Sequence, residues 1–333
     1  MNNNLLFIGN GFDLALNLKT AYRDFVNSSF WPLADNKLTS QSDGSLEWDI
    51  RAFTQRVRDS ETGLVRWIDL EEIIHEYAQR KKKNNPYPDA PEALALANKN
   101  KELLELLKYR FSQYIRSNVK VLIEPQMRGV NESLIKVMNG ILEMDCFTKV
   151  YSFNYTDTAS ILKSIFGWEN PNVTHMHGRV TDNSSNIILG VNDKAVVEKS
   201  HRFLLKSHQE GFVSNNLFDD LRVAQTIIFY GMSFGANDMD YFKDYFKSLI
   251  KGQTHRQQRV NIFIFTLDND SVTSIKSFFE DADVSVRDLY LYANLYFLKT
   301  AYFGDGGVGD AELNMFLKFS QDCKPISMGS SIL

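Results

Sequence analysis

One short apolar run opens the chain, Leu5-Leu6-Phe7-Ile8, and it ends in Gly9-Asn10-Gly11. No second strand-like run follows before Lys149. Four consecutive apolar residues closed by glycines read as a buried strand and a tight turn. Leu14, Leu16, Leu18 and Tyr22 come next at roughly helical spacing, with Asp13 placed to cap that helix. A lone strand buries neither face by itself. Its partners must arrive from far downstream, and parallel neighbours joined by long crossovers are the usual way to supply them.

The intervening stretch reads as helical. Residues 30–47 are loop-like, with Pro32, Ser40, Ser42, Gly44 and Ser45. Leu64, Trp67, Leu70, Ile74 and Tyr77 then repeat at threes and fours, and Arg80-Lys81-Lys82-Lys83 suits the negative end of that helix. Glu71 and His75 lie one turn apart at the edge of its apolar stripe, where a solvated surface pair is the plain reading. A loop at 84–89 leads to a helix from Pro91 carrying Leu104, Leu107, Phe111, Tyr114 and Leu122, and residues 131–143 read as another helix.

From Lys149 the pattern alternates. Strands are expected at 149–153, 173–177, 186–191, 226–230, 260–267 and 289–298, with helices from about Asp157 and over 238–250 and 272–279. The expectation is an α/β fold: a Rossmann-like, largely parallel sheet with a large helical insertion between its first and second strands. The chain divides accordingly into 1–30, the helical 31–147, and 148–333.

Composition narrows the function classes. The 333 residues are 44% hydrophobic and 23% charged, with net charge −4, an ordinary globular balance with no bulk attraction to nucleic acid or anionic lipid. Cys146 and Cys323 lie far apart and match no metal-ligand spacing, and such sparse cysteine fits a reducing compartment. The start of the chain has no basic segment leading into an apolar one, and no apolar run approaches the ~18 residues of a membrane span. A cytoplasmic protein without membrane or nucleic-acid partners is expected.

Chemistry in an open parallel sheet sits beyond the strands' carboxyl ends. Four such ends carry polar groups and glycines: Gly9–Asp13, Phe153-Asn154-Tyr155-Thr156, His175-Met176-His177-Gly178, and Gly231-Met232-Ser233-Phe234-Gly235. The first turn admits close approach of a phosphate, or is simply a tight turn; Leu14 stands where a dinucleotide fingerprint needs its third glycine. Asn154 holds a hydroxyl or a water, or caps a turn. His175 and His177 share one strand face without clear carboxylate partners for a metal. Gly231–Gly235 matches G-x-S-x-G, making Ser233 an esterase nucleophile with Asp244 and His255 downstream, or a glycine turn with Ser233 and Asp238 capping the next helix.

Ile8-Gly9-Asn10-Gly11-Phe12-Asp13 closely resembles the opening motif of the AbiH-type abortive infection proteins of bacteria. Trp67-Ile68-Asp69-Leu70-Glu71, Phe153–Thr156, His177-Gly178 and Gly231–Phe234 with Asp238 also look like that family. The same order resembles a divergent sirtuin-like NAD domain. That resemblance implies Asn154 and His177 as catalytic residues. It places Gly9, Asn10, Gly11, Phe12 and Asp13 in a ligand loop, with Phe12 near nicotinamide, and Gly178, Gly231, Ser233 and Asp238 around the nucleotide. It implies NAD as substrate or ligand. Two cysteines in all leave no sirtuin-type zinc module, so zinc is not expected. An antiphage effector that hydrolyses NAD is the leading expectation, with His177 as base near neutral pH. A non-catalytic nucleotide sensor and the Ser233 esterase are the alternatives. A homo-oligomer and a phage-derived trigger fit the same picture.

Overall fold

The computed structural model describes residues 3–33, 42–59, 70–84, 90–123, 131–144, 147–213, 216–252 and 259–323. Six strands, β1 (Asn4–Ile8), β2 (Phe147–Ser152), β3 (Val173–His175), β4 (Thr226–Tyr230), β5 (Val260–Thr266) and β6 (Ala293–Lys299), form one sheet in the order β3-β2-β1-β4-β5-β6. Every pairing is parallel. The chain steps outward from β1 to β3, returns beside β1 as β4, and steps outward the other way. This is the strand order of doubly wound sheets, whose switch point falls between the first and fourth strands.

The strands are apolar on both faces because both are covered; β1 and β4 are buried at every residue. Helices α1 (Asn10–Ala15), α2 (Tyr22–Val26), α3 (Leu46–Asp59), α4 (Leu70–Asn84), α5 (Pro91–Ile123) and α6 (Glu132–Glu143) all lie between β1 and β2. Among the described residues that stretch holds no strand. The others are α7 (Thr158–Phe166), α8 (Leu217–Val223), α9 (Ala236–Ile250), α10 (Asn269–Asp281), α11 (Val286–Tyr292) and α12 (Val308–Asp322). One face packs Leu5, Phe7, Tyr151 and Phe229 against Phe242 and Phe246 of α9. The other packs Leu6, Ile8, Phe263 and Phe265 against Leu134 and Met138 of α6 and Phe316 of α12. Phe7 sits at the centre, stacked between Tyr151 at 5.3 Å and Phe229 at 4.8 Å. A third core joins α2–α5 to residues after β3, among them Val180, Ile187, Leu189 and Val191.

Several boundaries differ from the sequence reading. Residues 186–191 are not a strand. Their alternate apolar side chains bury against the helices, while the backbone bonds irregularly, Ile188 N–H to His177 and Leu189 N–H to the Gln209 side chain. Leu289–Tyr292 is helical, capped where Ser285 Oγ accepts the Asp288 N–H, and the strand begins only at Ala293. β3 ends at His175, short of His177. Leu64, Trp67, Ile68 and Asp69 lie outside the described residues.

Candidate functional site at the strand ends

At the switch point the turn after β1 meets the turn after β4. Gly9 N–H donates to Tyr230 O (2.9 Å), Gly11 N–H to Gly231 O (3.0 Å) and Phe12 N–H to Gly9 O (2.9 Å). A Cβ on Gly9 would lie 2.6 Å from Gly231 O, and one on Gly11 would lie 2.6 Å from Gly231 Cα. Gly231 itself sits at φ +66°, where glycine is favoured. These glycines are therefore accounted for by backbone meeting backbone, and three amides of the turn are already committed inside the protein. Phe12 is fully buried beside Phe166 (6.0 Å) and Tyr230 (6.1 Å), so it is a core ring and not a surface for nicotinamide to stack upon.

Asp13 is not the cap expected of it. Gly9 occupies the cap position of α1 and Asp13 lies inside the helix, buried. The helix turns its carboxylate toward the end of β2. Asn154 Nδ2 donates to Asp13 Oδ1 (2.8 Å), and Thr156 Oγ1 lies 3.1 Å from each Asp13 oxygen. Thr20 closes the cluster by donating to Asn10 Oδ1 at 2.6 Å. Burial raises the Asp13 pKa from 3.8 to about 7, although hydrogen bonds from Thr156, Asn154 and Thr20 pull it down. Asn154 is buried too, and among the described residues its Oδ1 has no hydrogen-bond partner.

A second cluster adjoins the first across residues 153–155. His177, 5% exposed, contacts the rings of Phe153 (5.4 Å), Tyr155 (5.9 Å) and Tyr241 (6.3 Å). Its Nε2 lies 3.1 Å from Lys206 Nζ, which donates to Glu71 Oε2 at 2.8 Å. Tyr155 Oη donates to Glu71 Oε1 (3.2 Å) and receives the Tyr22 hydroxyl (3.3 Å). Glu71 is thus no surface residue: it is buried, and His75 turns instead to Gln79. Burial works against the Lys206 ammonium, but Glu71, Tyr241 and Asp238 outweigh it and hold its pKa above the usual lysine value. Burial, and then the Lys206 charge, push His177 well below the usual histidine value. The base expected at His177 is therefore neutral near pH 7, with its Nε2 facing an ammonium.

The structure brings Asp13, Asn154 and His177 to one end of the sheet, in two adjoining clusters. Among the described residues no hydrogen bond joins Asn154 to His177 directly. Gly178, at φ +72°, forms a tight turn under the Asn186 carbonyl, which a Cβ there would meet at 1.8 Å. His175 is held 3.8 Å from Asp157. Ser233 and Asp238 do not cap α9, whose cap position is Gly235 without a side-chain bond. Asp244, the acid an esterase would need, is exposed and paired with Lys194 at 2.7 Å. His255 lies outside the described residues. Tyr155 and Thr156 lie in a segment the sequence marked, without their roles; Thr20 and Lys206 had no signal there, because each is defined by a partner distant along the chain.

Two cavities lie elsewhere. One of about 480 Å³ runs between α3 and α4, lined by Trp48, Asp49, Arg56, Ile73, Glu76 and Arg80 among others. Another of about 190 Å³ lies beside Lys149, Trp168 and Pro171. No helix among the described residues is long and apolar enough to cross a membrane. A family model described as "Bacteriophage abortive infection AbiH" matches residues 5–262. No curated protein and no solved structure matches the chain.

Proposed function

The chain belongs to the bacteriophage abortive infection AbiH family, and from that premise we propose an antiphage effector centred on Asp13, Asn154 and His177. Its ligand is NAD, which it hydrolyses to nicotinamide and ADP-ribose. The sirtuin-like character of the domain, the helical insertion at 31–147, a cytoplasmic location, a homo-oligomer and a phage-derived trigger belong to the same proposal. One observation carries it: a buried carboxyl with a pKa of about 7, bonded to Asn154 and Thr156 beside the switch point of a doubly wound sheet. That is where such sheets take nucleotides, and a carboxyl poised near neutrality suits acid–base work.

The chemistry asks little of the protein. Water attacks the ribose C1′ and gives its proton to Asp13. The C1′–N bond breaks, its electron pair returns to the pyridinium ring, and nicotinamide leaves neutral. Asn154 orients the water or a ribose hydroxyl, and Asp13 then releases the proton to solvent. No acid is needed on the leaving group, unlike ordinary glycoside hydrolysis.

The test is to incubate purified protein with NAD, quantify nicotinamide, and measure NAD and ADP-ribose binding by calorimetry. Wild type releases nicotinamide, and Asp13→Asn and Asn154→Ala slow release by about a hundredfold or more. Unchanged rates in both variants overturn the catalytic assignment. Absence of both binding and release in wild type overturns the ligand. His177, the base expected from the sequence, is neutral with its Nε2 facing the Lys206 ammonium, which favours a second reading, a non-catalytic sensor, for which NAD binds and stays intact.

A further inference from the structure

Lys206 carries a buried charge that the proposed hydrolysis does not use. An ammonium has three donors and no lone pair, so a nitrogen 3.1 Å from it must be an acceptor. His177 Nε2 is that acceptor. A neutral imidazole with Nε2 unprotonated carries its proton on Nδ1. Glu71, bonded to Lys206 at 2.8 Å, keeps the ammonium charged and in place. Tyr155 fixes Glu71 from the other side. Tyr241 of α9 touches the His177 ring, and Asp238 on the same helix adds its field to Lys206. Among the described residues Nδ1 forms no hydrogen bond.

We propose that Lys206 is a positioning residue that locks His177 as the Nδ1–H tautomer, making it a hydrogen-bond donor to an acceptor oxygen of the ligand. His177 is then a recognition group and not a base. The ligand it selects presents a carbonyl or hydroxyl oxygen to Nδ1–H. Proton transfer falls to Asp13 alone. The ligand half of this inference rests on the proposed NAD site; the tautomer half does not.

The experiment is a long-range ¹H–¹⁵N correlation spectrum of the ¹⁵N-histidine-labelled protein, with the His177 signals identified by their loss in His177→Gln. The sequence has six histidines, few enough to resolve. In wild type, His177 is expected as the Nδ1–H tautomer with no titration across the pH range of an ordinary histidine. Lys206→Met combined with Glu71→Gln, which leaves no buried lone carboxylate, is expected to lose the Nδ1–H preference while the His175 signals stay in place. A wild-type proton on Nε2, titration within that range, or an unchanged tautomer in the double variant overturns the proposal. NAD is then added to wild type. Slowed exchange of the Nδ1 proton supports the ligand contact. Binding that leaves this proton unperturbed overturns the contact, whereas failure to bind NAD counts against the nucleotide reading and leaves the tautomer as measured.

Discussion

Replacing Asp13 by Asn isolates the electrostatic cost of the site. The side chain keeps its shape, and its amide can still meet Asn154 and Thr156. What disappears is a carboxyl whose pKa stands near 7 in the folded protein and 3.8 as its ordinary value. A folded pKa above the unfolded one means that the native state holds the proton longer. Stability from this group is therefore complete below about pH 4 and is lost as pH rises toward 7 and beyond. The interval from 3.8 to about 7, at about 1.4 kcal/mol per pH unit, amounts to about 4 kcal/mol for this fully buried group. The unfolded chain ionises freely, whereas the folded chain must ionise inside the protein. Urea unfolding of wild type and Asp13→Asn across about pH 4 to pH 8 reads the difference directly. The variant should be the more stable at pH 8, by a margin approaching that figure, and the margin should shrink steadily toward pH 4. Parallel curves at every pH, or a wild type more stable at pH 8, would refute the reasoning. A carboxyl that destabilises its own fold at neutral pH is consistent with the acid–base role proposed for Asp13.

Other consequences follow from the same geometry. Gly231→Ala places a methyl 2.5 Å from Phe12 N at φ +66°, so it should lower stability by about 2 kcal/mol or more, measured as a drop in Tm. Lys206→Met alone leaves Glu71 buried without its cation and should cost about 3–5 kcal/mol in denaturant unfolding. Adding Glu71→Gln should recover most of that loss, and a double variant no better than the single would count against a coupled pair. Buried His177, His175 and His201 resist the protons that histidines of the unfolded chain gain below about pH 6.5, which lowers stability there while Asp13 raises it. His177→Gln, measured beside wild type, should show the smaller histidine-linked loss as pH falls through about 6.5.

The sheet was largely legible because buried parallel strands write continuous apolar runs, as at Leu5–Ile8 and Ile227–Tyr230. Patterns shared by two environments were not. Ile187, Leu189 and Val191 alternate as a strand would, yet what they face is the helical core. Leu289 through Tyr292 continues an apolar stretch, and only Ser285 with Asp288 marks a helix start there. The strand-end segments were legible as places, while the bonds within them were not. Asp13 looked like a cap because local sequence shows the helix start and hides the carboxamide of Asn154 that meets it from the end of β2. Glu71 looked like a surface partner for His75 because its real partner, Lys206, belongs to a short 3-10 turn far along the chain.

Electron density from a crystal equilibrated with ADP-ribose would address the central claim most directly. The ligand is expected at the carboxyl ends of β1 and β2, beside Asp13 and Asn154, with an acceptor oxygen within reach of His177 Nδ1. Ligand density confined to the groove between α3 and α4, with Asp13, Asn154 and His177 untouched, would contradict it.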